Sequence, residues 1–126
     1  MIMNHNIDTH LLQETIDDLK NNPKSCTTYT GASSMDGTFA IPESNPGEQL
    51  RKFIQYVYDN DLIDQNYAEN YKKIENKEID EFTYEEVITG LTRIFRTDRF
   101  VSGELYSCVK NGSMLKLVER LYNLVK

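Results

Sequence analysis

Apolar residues recur at helical spacing along most of the chain. Leu11, Leu12, Ile16 and Leu19 form one stripe between 8 and 20, with Asp8 or Thr9 placed to cap its start and Pro23 just past its end, which predicts a first helix. The clearest stripe is Leu50, Phe53, Ile54, Val57 and Tyr58; Asn45 is placed to cap it, Pro46 suits its first position and Glu48 completes a capping-box spacing. Leu62 and Ile63 follow as buried anchors, and Tyr67, Tyr71 and Ile74 repeat at i, i+4, i+7 in a third helix. Thr83 and Glu86 make a second capping box, Phe82 can staple to Val87, and the helix from Tyr84 carries Val87, Ile88, Leu91, Ile94 and Phe95. Gly90 inside it costs ~1 kcal/mol against Ala and so marks close packing. Ser102 can cap a short helix through Leu105 and Val109 to Asn111-Gly112, whose Gly suits a left-handed C-cap. Ser113 caps a last helix with Leu115, Val118, Leu121, Tyr122 and Val125. Two stripes of that helix, Leu115–Val118–Tyr122 and Leu121–Val125, suit either a core edge or a dimer seam.

Residues 25–47 differ from the rest. Thirteen of these twenty-three positions are Ser, Thr, Gly or Pro, the composition of a long loop. Loops beyond ~12–15 residues are usually functional or disordered, and Tyr29, Met35, Phe39 and Ile41 would be wasted on a linker. A short strand pair across Asp36-Gly37 is the one β-structure this segment suggests, and no period-2 run exceeds four residues. The pattern therefore predicts a mainly α single domain over 1–126, with five or six helices and a long irregular segment at 25–47 that can hold a short β-hairpin.

Length and charge narrow the function classes. A chain of 126 residues can bury a core without disulfides, and no uncharged run approaches the ~18–20 apolar residues of a membrane span. The N-terminus lacks the basic region and apolar stretch of a secretory signal, so a cytoplasmic location and reduced thiols at Cys26 and Cys108 are expected. The net charge of −6 opposes non-specific attraction to nucleic acid or anionic lipid. That charge is polarised: 1–58 carries −3, 59–86 carries −7 and 87–126 carries +4. Opposed faces that neutralise each other explain this layout, as does a partner-binding surface built from one of them.

Motif chemistry is sparse. His5 and His10 have no metal-ligand spacing, and no cofactor or metal is expected. Asp59, Asp61 and Asp64 resemble the odd-position oxygens of a calcium loop, but Leu62 and Ile63 fall where that loop turns on glycine and its bidentate Glu is missing, so a solvated helix end explains them better. Cys108 beside Leu105 and Val109 reads as a buried thiol rather than a nucleophile. No phosphate-binding or serine-hydrolase signature occurs. The dense polar stretch is 93–104, a helix–helix corner with Arg93, Arg96, Asp98, Arg99 and Glu104. Arginine forks there can hold a phosphate or a partner's carboxylate, or the two acids can hold the arginines in local ion pairs with Phe100 in the core.

Four segments in order, DG-x-F-x-x-P at 36–42, FIQYVYDNDLI at 53–63, LTRIFRTDRFVSGEL at 91–105 and NGSMLKLVERLYNL at 111–124, resemble a family of small prokaryotic and phage-encoded proteins classified only as a domain of unknown function. The resemblance runs from about Asp36 to Leu124 and leaves the first helix outside. It implies a small α-helical domain, carries over no activity or catalytic residue, and makes a phage accessory role, such as blocking a host factor, an expectation.

The leading expectation is a non-enzymatic protein-binding or regulatory module whose surface combines the 25–47 segment, through Tyr29 and Phe39, with the corner of Arg93, Arg96, Asp98, Arg99 and Glu104. An acidic inhibitor imitating nucleic acid through 59–86 is one variant. The second expectation is a small-ligand or phosphate-binding protein, or an enzyme, using the same corner. The expected partner is another protein, a homo-oligomer is open, and membrane or nucleic-acid binding is not expected.

Overall fold

The computed structural model describes residues 7–30, 42–100 and 103–126, with the side chains at 29, 30, 42, 43 and 100 outside the description. Within the described residues six helices and a small antiparallel hairpin make one compact domain. In chain order these are α1 (Thr9–Asn21), β1 (Cys26–Thr30), β2 (Pro42–Pro46), α2 (Glu48–Asp59), α3 (Tyr67–Ile74), α4 (Tyr84–Phe100), α5 (Glu104–Lys110) and α6 (Ser113–Val125), with a 3-10 turn at Ile79–Glu81. The mainly α architecture read from the apolar stripes is the observed one.

Helix α4 is the centre of the domain, packing on α3, α5 and α6, while α1 closes the far side against α2 and α6. Its middle is buried on every side from Val87 to Thr92, the pattern of a helix enclosed by others rather than laid on a surface. Phe53, Leu50, Leu12, Leu91, Ile94, Met114 and Leu121 are fully enclosed, and each such side chain contributes ~1.5–3 kcal/mol of burial. At Gly90 helix α6 packs closely: a Cβ built there would stand 3.1 Å from Leu117 Cδ2. Val118 and Leu121 of α6 belong to the core, and the Tyr122 hydroxyl accepts a 2.7 Å hydrogen bond from the Gln13 side-chain amide of α1.

Capping follows the sequence at two helices. Asp8 caps α1 by accepting from the Leu11 amide at 3.1 Å. At α4 the Thr83 hydroxyl accepts from the Glu86 amide and the Glu86 carboxylate accepts from the Thr83 amide, a complete capping box. Four other boundaries differ from expectation. Asn45 and Pro46 do not begin α2; they end β2, and Gly47 is the cap. The cause is tertiary: Pro46 pairs with Cys26 across the hairpin and the Gly47 amide donates to the Ser25 carbonyl at 2.8 Å, so strand pairing holds these residues extended. A Cβ at Gly47 would lie 3.1 Å from the carbonyl oxygens of Lys24 and Ser25. Helix α4 runs on through the TDRF stretch to Phe100, so Arg96, Asp98 and Arg99 lie on its last turns and not in a loop. Gly103 and Gly112, at φ 86° and 88°, cap α5 and α6 in place of Ser102 and Ser113.

The two strands are five residues each, longer than the alternation alone suggests, and pair antiparallel in the register Cys26↔Pro46 to Thr30↔Pro42. The hairpin rests on α5. The proposed turn at Asp36-Gly37, Met35, Phe39, Ile41, Ser102 and the Phe100 side chain lie outside the described residues.

Candidate functional site

The corner predicted from the sequence is assembled, and most of its polar groups face inward to other parts of the chain. Asp98 Oδ1 accepts from the Ser44 hydroxyl at 2.8 Å and from the Leu105 amide at 2.9 Å, and the Ser44 oxygen accepts from the Tyr106 amide at 3.0 Å. One carboxylate thus ties β2 to the first turn of α5. Arg93 Nη2 lies 3.3 Å from Glu104 Oε2, with side chains 27% and 23% exposed, and its guanidinium sits 4.5 Å over the Tyr71 ring. Arg99 is exposed, 5.8 Å over the Tyr58 ring. The Nε atoms of Arg93 and Arg96 are buried without a hydrogen-bond partner among the described residues. Tyr29 stands opposite Glu43 in the hairpin register, its side chain and all of Phe39 being outside the description.

Neither thiol is set up for nucleophilic chemistry. Burial pushes Cys26 up to about 11, and burial together with the adjacent Glu104 carboxylate, 3.5 Å from the sulfur, pushes Cys108 up to about 11. Both stay protonated at neutral pH, as the buried-thiol reading expects. Among the described residues no group of three or more His, Cys, Asp or Glu is placed to hold a metal ion.

A better-formed cavity lies on another face. Helix α2 ends with the Asp61 amide donating to the Tyr58 carbonyl and the Leu62 amide to the Val57 carbonyl, and Asp61 takes φ 55°, the left-handed conformation usually given to Gly. That stop turns the chain so that Leu62 and Ile63, both half-buried, line a cleft of about 600 Å³ between α3 and the first turns of α4. Its floor is Leu62, Ile63, Ile74 and Ile88, and its rim includes Asp61, Asp64, Lys73, Tyr84, Glu85 and Glu86. This volume is inside the ~300–1,000 Å³ range of small-molecule and side-chain pockets.

Asp64 organises the wall of the cleft. Its carboxylate accepts from the Thr89 hydroxyl at 2.6 Å, the Asn66 amide at 2.8 Å and the Asn70 side-chain amide at 2.9 Å, and its own backbone N–H donates to the Thr92 hydroxyl at 3.0 Å. Burial pushes its pKa up, but the donors from Thr89, Asn70 and Asn66 outweigh it and hold it below the usual value. All three donors are neutral, so none of them cancels the negative charge. Glu86 is held down first by the Lys77 ammonium at 2.7 Å and then by the Thr83 amide, and that pair is neutral as a unit. Burial, and then the Glu85 charge, raise Tyr84. The reading of Asp59, Asp61 and Asp64 as a solvated helix end holds for exposed Asp59 and Asp61 and misses Asp64, whose partners Thr89 and Thr92 lie far along the chain.

The remaining acids of the middle segment lie elsewhere. Glu75, Glu78, Asp80 and Glu81 line a second, more polar hollow of about 440 Å³ with Arg93, Lys116 and the start of α6. None of Arg96, Asp98, Arg99 and Glu104 lines either hollow.

Comparison with known proteins shows a family and adds no activity. No curated protein and no solved structure matches the chain. A family model matches residues 4–126, which extends the similarity over α1 and the hairpin, further than the 36–124 stretch picked out by the four segments. With nearly its whole length covered, the chain belongs to the family of unknown function DUF6508.

Proposed function

We propose that this chain is a non-enzymatic, cytoplasmic protein-binding module whose contact site is the cleft between α3 and α4. The observation that carries this reading is the cleft itself, about 600 Å³ with an apolar floor of Leu62, Ile63, Ile74 and Ile88 under a polar rim. An apolar hollow rimmed by polar groups is the form a docking site for a partner's side chains takes. The corner at Arg93–Glu104 supports the reading less, because Asp98 and Glu104 are engaged with Ser44, Leu105 and Arg93. The accessory role, occupying a host factor, is the form of this reading in which the partner is a host protein.

The test is affinity capture by the full chain, with Ile63→Arg filling the cleft, Arg99→Ala altering the exposed corner, and circular dichroism confirming that both variants fold. The expected result is a stoichiometric partner retained by Arg99→Ala and lost by Ile63→Arg. Loss with Arg99→Ala alone would return the surface to the corner. A phosphate or small-ligand site is the second reading, favoured by the unpartnered Nε atoms of Arg93 and Arg96; orthophosphate protecting the chain against thermal unfolding in wild type and not in Arg96→Ala would establish it.

A further inference from the structure

Resting on the α3–α4 cleft as the docking site, we infer that its occupant is a lysine or arginine side chain of a partner protein, carried in an apolar segment. The argument is charge complementarity over an apolar floor. Asp61, Asp64 and Glu85 line the cleft, and among the described residues none of the three is in an ion pair. Among the described residues Lys73 is the one cation on the lining, and Glu86 is already neutralised by Lys77. Asp64 keeps its charge, since it is satisfied by hydroxyl and amide donors alone. A negative field therefore stands over Ile63, Ile74 and Ile88. A carboxylate-bearing or phosphorylated ligand would be repelled there, and a purely apolar one would leave the rim charges partly desolvated without compensation. A long side chain with an apolar stem and a cationic head satisfies both, its methylenes on the isoleucines and its head among the carboxylates.

The experiment is a titration of the isotope-labelled full chain, followed by amide resonances, with three acetylated pentapeptide amides. Their sequence is Ala-Leu-X-Leu-Ala, with X being lysine, norleucine or glutamate. The lysine peptide is expected to shift the amides of residues 61–64 and 84–89 and to bind more tightly than the norleucine peptide, with the glutamate peptide weakest. Glu85→Gln and Asp61→Asn, both at exposed rim positions, should each weaken the lysine peptide up to about fivefold and leave the norleucine peptide unchanged. If norleucine binds as well as lysine and both shift the cleft, the cleft is a docking site whose charge plays no part, and the inference on its occupant is overturned while the site stands. If no peptide shifts 61–64 or 84–89, the docking site itself is overturned. High salt weakening only the lysine complex is the further expected sign, and a salt-insensitive lysine complex would count against it.

Discussion

The Thr89 hydroxyl donates a 2.6 Å hydrogen bond to the Asp64 carboxylate, joining the turn after α2 to the centre of α4 across twenty-five residues. This contact fixes the wall of the cleft, and it makes stability depend on pH in a defined direction. Asp64 and Glu86 are both held below their ordinary values in the fold. A depressed carboxylate contributes stability that is complete above its unfolded value, about 4, and is lost as pH falls through the lower folded value. Thr89→Val keeps the shape and removes the donor. It should cost about 1–2 kcal/mol at neutral pH, with the difference from wild type shrinking as pH falls below the ordinary carboxylate value of about 4 and Asp64 protonates in both. Urea unfolding across that range checks it; a difference that is constant with pH would show that Thr89 acts by packing alone.

The predicted corner separates into structural and exposed arginines. Arg93 stacks on Tyr71 and pairs with Glu104 while mostly buried, so Arg93→Ala should cost about 1–2 kcal/mol. Arg99, exposed at 5.8 Å from the Tyr58 ring, should change stability by no more than about 0.5 kcal/mol when cut to Ala. Asp98→Ala should cost about 2 kcal/mol or more, because it strips the Leu105 amide and the Ser44 hydroxyl of their acceptor. Denaturant midpoints of the three variants decide the matter, and equal costs for Arg93 and Arg99 would refute the division.

Gly90 and Leu117 should behave as a coupled pair. Ala at 90 gains ~1 kcal/mol of helix propensity, but its methyl would press on Leu117 Cδ2 at 3.1 Å, where overpacking costs ~1–3 kcal/mol. Leu117 is 3% exposed and has little room to yield, so Gly90→Ala should lower stability by about 1 kcal/mol. In a Leu117→Ala background the same change should become stabilising. A double-mutant cycle with no coupling would mean that the helices separate freely at this point.

What the sequence determined by itself is everything whose cause lies within a few residues. The stripes from Leu11 to Leu19, Leu50 to Tyr58 and Val87 to Phe95 became helices because one helical face must leave water, and Thr83–Glu86 and Asp8 cap because their partners are three residues away. The burial of Cys108 was equally legible. Tertiary structure decided the rest. Asn45 and Pro46 carry a sound helix-start signal, yet pairing with Thr27 and Cys26 holds them in a strand, since ladder bonds to a distant segment outweigh a local cap. The role of Asp64 was hidden for the same reason: its partners Thr89 and Thr92 are helix-interior threonines that carry no local signal. The cleft brings Leu62 and Ile63, after the left-handed turn at Asp61, into one lining with Ile74 and Ile88, a relation between surfaces that no spacing along the sequence records.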